Sequence, residues 1–492
     1  MMGTTEKKSG KMFYSFSLSK RVPQDHPLRK LKKILKLDFL YELLRDKYGI
    51  KGNVSVPPPI LMKLMLLLVF YNARSERELM KTLPMRLDWL WFLGYDIDDK
   101  VPHHSVLSKA RKRWGEETFK ELFQRVLLQA LDSGLVDGKK LFADSSLVDA
   151  DASRNSVEKI YDDKFLDSSY AKFSERLDEN EPEKPSGKKD KKPKKGGYQK
   201  INDRHRSKTD PDATLVRAKG DTKLRYKVHR SVDESYEIIT SCKTTTGIVN
   251  EASVLVDLVD SHCEVLDQKP EVVIADSKYG IKDNYVNLKK QDIKTHMKDL
   301  SETQEGSGQR KGKFSKKDFQ YHSEGNYFLC PAGERLNKRS YNPSREWYEY
   351  KASKKVCNKC KLRPKCTRDQ NGRTVKRHKD EELLEKALAD AHSDLAKEDL
   401  KTRQHLMERS FGTGTRYGYK RTRWRGLMRV SIQQYLVAIV QNLNKIMKYG
   451  DIGESDNGNK TTLGSLINGF LSLYRRFFIA HNLKLRFCRS FC

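Results

Sequence analysis

The sequence contains no apolar run long enough to cross a lipid bilayer. Its longest apolar stretch, residues 60–71, is interrupted by Lys63 and is shorter than the roughly 20 residues that a membrane-spanning helix needs. The first twenty residues are polar and lack the apolar segment of a secretory signal. These absences argue against a membrane or secreted protein, and we expect a cytoplasmic protein without a membrane partner.

Cysteine is scarce, and acidic residues are outnumbered by basic ones. Only eight of the 492 residues are Cys, and in an intracellular protein they are more often free or metal-bound than joined in disulfides. The 66 Asp and Glu face 97 Lys and Arg, which leaves a net charge of +31. This charge favours a polyanionic partner, because phosphate contacts release condensed counterions. The alternative is a basic protein without a specific partner.

The N-terminal part of the sequence has the apolar spacing of helices. After a tail at residues 1–24, residues 25–137 place Leu, Phe and Val three and four positions apart, which predicts an all-helical domain. Within it, residues 105–114 are expected to form a short basic helix that either lies along a DNA backbone or presents a solvated face. The cations considered for DNA contact in this helix are Lys109, Arg111 and Arg113.

After the helical domain, the spacing changes to that of an α/β domain. Residues 141–143 are predicted to form a short strand that ends at Asp144, and residues 224–229 and 236–238 alternate as paired strands do. The apolar run 272–275 is typical of a strand that is covered on both faces. With a further strand at residues 293–297 and the helices between them, these strands predict a mixed five-stranded sheet flanked by helices.

This predicted α/β domain, residues 138–298 and 376–449, is interrupted twice. Residues 179–209 are dominated by Lys, Pro, Gly and Asp, and because such a segment buries little apolar area we predict a disordered loop. Residues 299–375 contain Gly-rich turns, short aromatic strands and four Cys. We interpret them as a small Cys-rich β insertion.

The C-terminal third of the chain is predicted to be helical. A long helix starts at Asp380 and is expected to break at Gly412 and Gly414. Residues 430–447 have the spacing of a final amphipathic helix. Residues 450–492 are interpreted as a linker and a helical tail.

Two aspartates follow predicted strands. Asp144 and Asp276 would meet at one edge of an open sheet if their strands are neighbours. Two unpaired carboxylates about 4 Å apart repel by roughly 4 kcal/mol at an effective dielectric of 20. Divalent ions remove this penalty, and two of them about 3.5–4 Å apart can clamp the oxygens of a displacement at phosphorus. Oxygen ligands suit Mg²⁺ or Mn²⁺.

Either aspartate taken alone could instead be a turn or cap residue. Other acidic residues nearby are alternative candidates for the same role. They are Asp149, Asp151 and Asp233.

The cysteines of the insertion have a spacing that suits zinc. Cys357 and Cys360 form a C-x2-C pair, Cys366 follows, and Cys330 lies upstream. Four thiolates suit tetrahedral Zn²⁺, and a structural ion would supply folding free energy to a segment with little apolar core. The alternatives are that His322 replaces Cys330 as a ligand, or that the thiols are simply reduced.

The segment around Glu408 resembles the C-terminal signature of DDE transposases of bacterial and archaeal insertion sequences. That signature has an Arg before the Glu, here Arg403, and Phe-Gly just after it, here residues 411–412. A later helix ends in Gln-Asn, here residues 441–442. The family often has a Lys seven residues after the Glu, but that position is Thr415 here, so Arg416 or Lys420 would have to serve.

Other parts of the chain resemble the same family. Asp144 matches the first Asp, which a Ser-rich segment follows, and Asp276 matches the second, in a hydrophobic-Ala-Asp-x-x-Tyr-Gly context. The resemblance covers nearly all of residues 25–447. It implies a ribonuclease H-like fold and an N-terminal domain that binds DNA.

The resemblance also implies the reaction. Water would cleave the transposon ends with two Mg²⁺ or Mn²⁺ ions held by Asp144, Asp276 and Glu408, and the freed 3′-OH would attack target DNA. The implied partners are double-stranded DNA, both terminal inverted repeats and target, and further copies of the chain in a homodimer or larger synapse on the nucleoid. The alternatives are a metal-dependent nuclease of the same fold without joining activity, or a zinc-containing DNA-binding protein with a decayed site.

A cluster of cations lies beside Glu408 in the sequence. These residues are suited to holding phosphates, although they could also form a solvated face. Trp424 among them either packs in the core or stacks on a base. The cluster consists of Arg403, Arg409, Arg416, Lys420, Arg421, Arg423 and Arg425.

Overall fold

The computed structural model describes residues 15–49, 53–160, 197–218, 220–298, 312–343 and 346–450. Within these ranges, no helix is long and apolar enough to cross a membrane. The predictions for residues 1–14, for the loop from 179 to 196 and for the tail from 451 onwards fall outside the described residues.

The N-terminal region is helical, as the spacing of its apolar residues predicts. Its central helix, α4, buries nine of its 13 residues. It begins with Pro58 at its first position, where the missing N–H of proline needs no partner. The helices are α1 (Leu18–Arg21), α2 (Pro27–Ile34), α3 (Phe39–Leu43), α4 (Pro58–Phe70), α5 (Glu76–Thr82), α6 (Leu87–Leu93), α7 (Ser105–Trp114) and α8 (Glu116–Asp132).

A mixed sheet follows the N-terminal helices. Its order is β6–β5–β1–β7–β8, with β4 beside the first part of β5, so it has six strands instead of the predicted five. Strand β5 is antiparallel to β1 and β6, whereas β7 and β8 run parallel to β1. Together with the separate β2–β3 ribbon, the strands are β1 (Lys140–Asp149), β2 (Val157–Lys159), β3 (His205–Ser207), β4 (Thr214–Ala218), β5 (Asp221–Asp233), β6 (Ile239–Thr246), β7 (Val272–Ile274) and β8 (Lys294–His296).

Strand β1 is longer than the sequence predicts. Asp144 lies in the middle of the strand and not at its end, because nine consecutive pairs with β5 carry β1 on to Asp149. Ser145 and Ser146 have little strand preference of their own, but cross-strand pairing outweighs it. The prediction of a strand that ends at Asp144 was therefore wrong.

The helices after β1 cover the two faces of the sheet. Phe142 and Ile274 belong to a core that includes Met407 of α15 and Leu436 of α16, whereas Leu141 packs with α10, α11 and α14. The helices are α9 (Gly197–Arg204), α10 (Leu255–Leu266), α11 (Lys282–Lys290), α12 (Lys354–Lys359), α13 (Arg363–Cys366), α14 (Glu381–Ala391), α15 (Asp394–Thr415) and α16 (Leu427–Tyr449). Because side chains alternate along a strand, Asp144 shares the face of Phe142, which α15 and α16 cover.

The predicted helix break at Gly412 and Gly414 was wrong. Helix α15 runs through both residues, and the break lies between α14 and α15, where the Ser393 side chain accepts a hydrogen bond from the Ala396 N–H at 3.1 Å. This is an ordinary N-cap. A Cβ at Gly414 would meet Tyr419 Cβ at 3.2 Å, so this glycine allows close packing and does not end the helix.

Residues 197–207, which were predicted to lie in a disordered loop, form α9 and β3. Strand β3 pairs with β2, and the buried Ser207 hydroxyl bonds the Ser156 hydroxyl at 2.7 Å. Pairing with a distant strand supplies the hydrogen bonds that composition alone does not reveal.

A second, antiparallel sheet lies between β8 and α14 in the chain, and we call it the small sheet. Its order is β13–β12–β11–β10–β9, and its core includes Phe328, Leu336, Tyr350 and Val375. Strand β13 continues past residue 375, where the predicted insertion ends. The strands are β9 (Gln320–His322), β10 (Tyr327–Leu329), β11 (Arg335–Asn342), β12 (Trp347–Lys351) and β13 (Thr374–His378).

Two buried imidazoles are expected to make the stability of the fold depend on pH. Burial lowers the pKa of His229 to about 4, with Lys227 adding to the effect, and burial also lowers the pKa of His262 to about 4. In the unfolded chain both groups titrate near 6.5. The unfolded state therefore binds protons first as the pH falls, and stability present above pH 6.5 is lost between 6.5 and 4, by roughly 2 kcal/mol per histidine at pH 5.

Urea unfolding at pH 7 and pH 5 measures this loss. The variant His262→Gln should lose less stability than the wild type over this interval, whereas His405→Gln, at an exposed position of α15, should lose as much as the wild type. Equal losses in all three proteins would contradict the prediction.

Candidate active site

Asp144 lies in β1, and Asp276 follows the end of the neighbouring parallel strand β7 by two residues. The last pair between the two strands joins Phe142 of β1 to Ile274 of β7, and each aspartate comes two residues after its member of that pair. Burial raises the pKa of Asp144; the Arg403 guanidinium opposes this rise, and the charge of Asp276 adds to it. The two carboxylates are thus close enough for their charges to interact.

The carboxylate of Asp144 is held by two donors. Arg403 of α15 donates from Nη1 to Oδ2 at 2.7 Å, and the Ser145 N–H donates to Oδ1 at 2.7 Å. Asp276 Oδ1 accepts from the Lys278 N–H at 2.8 Å. The ring of Tyr279 is fully buried nearby, and burial followed by the charge of Asp144 raises the pKa of its phenol. The site is therefore a pair of acidic groups with one arginine as countercharge.

Glu408 is carried by the helix that covers this face, but its side chain is exposed. The preceding residue, Met407, packs in the same core as Phe142 and Ile274. The Glu408 carboxylate accepts a hydrogen bond from Gln404 Nε2 at 3.3 Å. Within the ranges given above, no group of three or more His, Cys, Asp or Glu side chains is arranged to hold a metal ion. The structure brings the two aspartates together and leaves Glu408 outside that pair.

The loop at residues 416–426 is held by hydrogen bonds to strand β1 and to helix α16. The Asp149 N–H donates to the Lys420 carbonyl at 2.9 Å, and the Thr422 N–H donates to the Asp149 carbonyl at 2.9 Å. The buried Gln433 side chain accepts from the Arg423 N–H at 2.7 Å and donates to two carbonyls of the loop. These bonds tie the loop to the end of β1 and to the start of α16.

Several of the cations predicted to contact DNA also have partners within the protein. Arg421 and Arg425 pair with Asp151 at 3.3 and 3.2 Å, and Arg409 pairs with Glu237. Arg403 pairs with Asp144, as described above, and the side chain of Arg423 bonds Asn72 and the Ala73 carbonyl. Arg416 and Lys420 are exposed and have no ion pair with any carboxylate in the described part of the chain.

The buried position of Arg111 argues against the DNA contact that its sequence suggested. Its guanidinium is 3% exposed, pairs with Glu76 and stacks 3.7 Å from the centroid of Trp424. This contact joins α7 to the loop at 416–426, and it gives Trp424 a packing role. Lys109 and Arg113 are exposed on the same helix.

Gln441 and Asn442 were noted in the sequence without a role, and both are buried connectors. Gln441 accepts from Arg230 Nη1 at 2.9 Å and donates to the Ser410 carbonyl at 2.8 Å, which links β5 to α15 beside Glu408. Asn442 bonds both the N–H and the carbonyl of Ile239 at 2.9 Å. The amide pair therefore fixes α16 against the sheet and against α15.

The four cysteines named above line one cavity of about 30 Å³ beneath the small sheet. Their thiols are free. Burial raises the pKa of Cys366, Arg373 opposes this rise, and the other three cysteines add to it. The four cysteine side chains therefore lie close together in space, although residues 330 and 366 are well separated in the sequence.

Residues 16–113 match the family described as Transposase domain (DUF772), and residues 329–447 match the family described as Transposase DDE domain. These two matches support a DDE transposase of an insertion-sequence type. No curated protein and no solved structure matches it.

The two matched regions of this transposase contain only part of the candidate site. The C-terminal match includes Glu408, the loop at 416–426 and all four cysteines of the cavity, whereas Asp144 and Asp276 lie between the two matched regions. The assignment as a transposase therefore does not depend on the two aspartates, and their role has to be argued from geometry.

Proposed function

We propose that this transposase cleaves the ends of its element and joins them to target DNA, with two Mg²⁺ or Mn²⁺ ions held by Asp144, Asp276 and Glu408. The observation that carries the proposal is that Asp276 follows β7, the parallel neighbour of the strand that bears Asp144, close enough for the two carboxylate charges to interact. Both lie under the helix that bears Glu408. The strand order, in which only β5 runs against the others, supports a ribonuclease H-like fold for the catalytic domain, residues 138–298 and 376–449.

The donor set fits divalent ions. Two interacting carboxylates that are partly withdrawn from water need a positive charge between them, and carboxylate oxygens are the ligands that Mg²⁺ and Mn²⁺ prefer. Bound there, the ions would lower the pKa of an attacking water and stabilise charge on the leaving oxygen. Rotation of the Glu408 side chain away from Gln404 would supply the third carboxylate.

The other residues of the site would position DNA. Arg416 and Lys420 follow helix α15, which bears Glu408, and their exposed side chains could contact phosphates. Phosphate contacts fix the position of a protein along DNA without reading the base sequence. Arg403 would serve the site itself, because its guanidinium already contacts Asp144 at 2.7 Å. The exposed cations of α7, Lys109 and Arg113, would extend the contact to the N-terminal domain.

The joining step tests this function. A pre-cleaved duplex that carries the DNA flanking the reading frame should be joined to a plasmid by the purified protein when Mg²⁺ is present, and not when EDTA is added. Cleavage without joining would instead indicate a nuclease of the same fold. Because two ends must be held together, we expect the active species to be a homodimer or larger.

We also propose that Cys330, Cys357, Cys360 and Cys366 hold one structural Zn²⁺. Their convergence on one cavity supports the proposal, and four thiolates are a closed tetrahedral set. Bound zinc would keep the thiols ionised and add folding free energy to the small sheet, whose apolar core is small.

The metal content of the purified protein tests the zinc site. We expect about one zinc ion per chain, as in a closed Cys₄ site, and its loss in Cys360→Ser and Cys366→Ser, with faster proteolysis of the small sheet. The control is Cys263→Ser, which changes a partly buried cysteine of α10 outside the cluster and should leave the zinc content unchanged. A wild-type protein that is free of zinc yet resists proteolysis would refute the site.

A further inference from the structure

The small sheet and the loops that join its strands are far more basic than the rest of the protein. Residues 335–379 contain 16 Lys and Arg but only three Asp and Glu. This segment therefore carries a large share of the net charge of +31 in about a tenth of the chain. The catalytic residues and the loop at 416–426 do not account for this charge.

One face of the small sheet combines an exposed and a half-buried tyrosine ring with two of these cations. Tyr341 of β11, Tyr348 of β12 and Arg377 of β13 are paired across the sheet, so their side chains lie on the same face. The ring centroids of Tyr341 and Tyr348 are 4.8 Å apart, and Lys338 Nζ lies 3.8 Å from the centroid of Tyr348. We call these four residues the aromatic–basic face.

The charge of this face is not neutralised within the described part of the chain. Lys338 and Arg377 have no ion pair with a described carboxylate, whereas on the opposite face Glu349 pairs with Lys376 at 3.4 Å. Tyr341 is 41% exposed at the end of β11, the middle strand of the small sheet, and the Tyr348 ring next to it is half-buried. Proteins bind single-stranded nucleic acid through exposed aromatic rings next to cations, because bases stack on the rings and phosphates contact the cations.

We propose that the aromatic–basic face binds an unpaired segment of DNA, with a base stacked on Tyr341 and phosphates at Lys338 and Arg377. A duplex would offer its phosphates to the cations but no base face to the tyrosine, so the ring favours an unpaired strand. The proposal rests on the proposed function in one respect: cleavage at the ends of an element is what would supply unpaired strands.

Binding of labelled oligonucleotides tests the face apart from catalysis. Fluorescence anisotropy without divalent metal would compare a single-stranded oligo-dT of about 20 nucleotides with a duplex of the same length. This length exceeds the number of nucleotides that one binding fold covers. We expect Tyr341→Ala to weaken binding of the single strand by about 5- to 100-fold and to leave duplex binding unchanged. Tyr341→Phe should restore single-strand binding, because the ring is what stacks.

The matched control is Tyr236→Ala, which removes a tyrosine that is 38% exposed on the β5–β6 turn and should change neither affinity. Lys338→Ala should reduce the salt dependence of single-strand binding by about 0.7 in log–log slope, whereas Lys100→Ala, at an exposed position outside the small sheet, should not. Unchanged single-strand affinity in Tyr341→Ala, or an equal loss on duplex and single strand, would overturn the proposal. If the wild type binds the single strand through Tyr341 but neither cuts nor joins with Mg²⁺, the proposed function fails and the binding face stands.

Discussion

Asp276→Asn is expected to reduce Mg²⁺-dependent cleavage at the element ends by at least about 10³-fold, because the ions that it helps to hold supply several kcal/mol of transition-state stabilisation. The substitution should not disturb the fold. The hydrogen bond that Asp276 makes with the Lys278 N–H, at 2.8 Å, can be accepted equally by the amide oxygen of Asn. Asp276 is a sharper test than Asp144, because replacing Asp144 would also leave the Arg403 guanidinium without its carboxylate partner.

Cleavage of an end-labelled duplex measures the effect, and DNA binding by the same protein separates catalysis from recognition. Asp257→Asn is the control, because Asp257 is an exposed acid that pairs with Lys243 on the surface. Glu408→Gln should lose as much activity as Asp276→Asn, although Glu408 now faces Gln404, since the proposal requires its side chain to turn towards the aspartates. Full activity in Asp276→Asn would rule out the carboxylate site and favour a protein that only binds DNA.

The central sheet was predictable because its signals are local. The apolar run at 272–275 contains β7 and the alternation at 224–229 lies in β5, whereas residues 236–238, which alternate in the same way, lie in the connection before β6 and do not form the predicted strand. The extent of β1 was not predictable in this way. Its polar residues 144–146 look like the end of a strand, and only the nine pairs with β5 show that the strand continues.

The residues of the candidate site were likewise predictable only where a local sequence pattern marks them. Asp144 and Asp276 could be picked out because each follows an apolar run, and Glu408 because of its resemblance to a known signature. Which cations are free could not be predicted. Arg111 looks like any cation of a basic helix, and its partner Trp424 lies in a distant part of the chain. Its burial depends on how the N-terminal domain packs against the loop at 416–426.

The most consequential residue that the sequence gave no reason to single out is Asp399. It is 3% exposed on α15, and it accepts from Lys140 Nζ at 2.8 Å and lies 2.7 Å from His296 Nδ1. Lys140 belongs to β1 and His296 to β8, so one carboxylate joins the helix of Glu408 to both the strand of Asp144 and the edge of the sheet. Its partners are 259 and 103 residues away in sequence, and no local pattern marks such a network.

Asp399→Ala is therefore expected to destabilise the protein by about 1–3 kcal/mol, because the buried His296 side chain is left without its hydrogen-bond partner. The matched control is Asp390→Ala. Asp390 pairs with Lys289 at the same 2.8 Å, but the Asp390 side chain is 25% exposed against 4% for Asp399, and a pair whose members both reach solvent contributes about 1 kcal/mol or less. Urea unfolding of both variants measures the difference. The double variant His296→Leu/Asp399→Leu should recover much of the lost stability, since replacing both partners by apolar side chains leaves no buried polar group unsatisfied. Recovery of stability without recovery of cleavage would then show that the network sets the position of α15 as well as holding it to the sheet. Equal destabilisation by Asp399→Ala and Asp390→Ala would mean that the buried carboxylate holds no more of the fold together than a surface pair does.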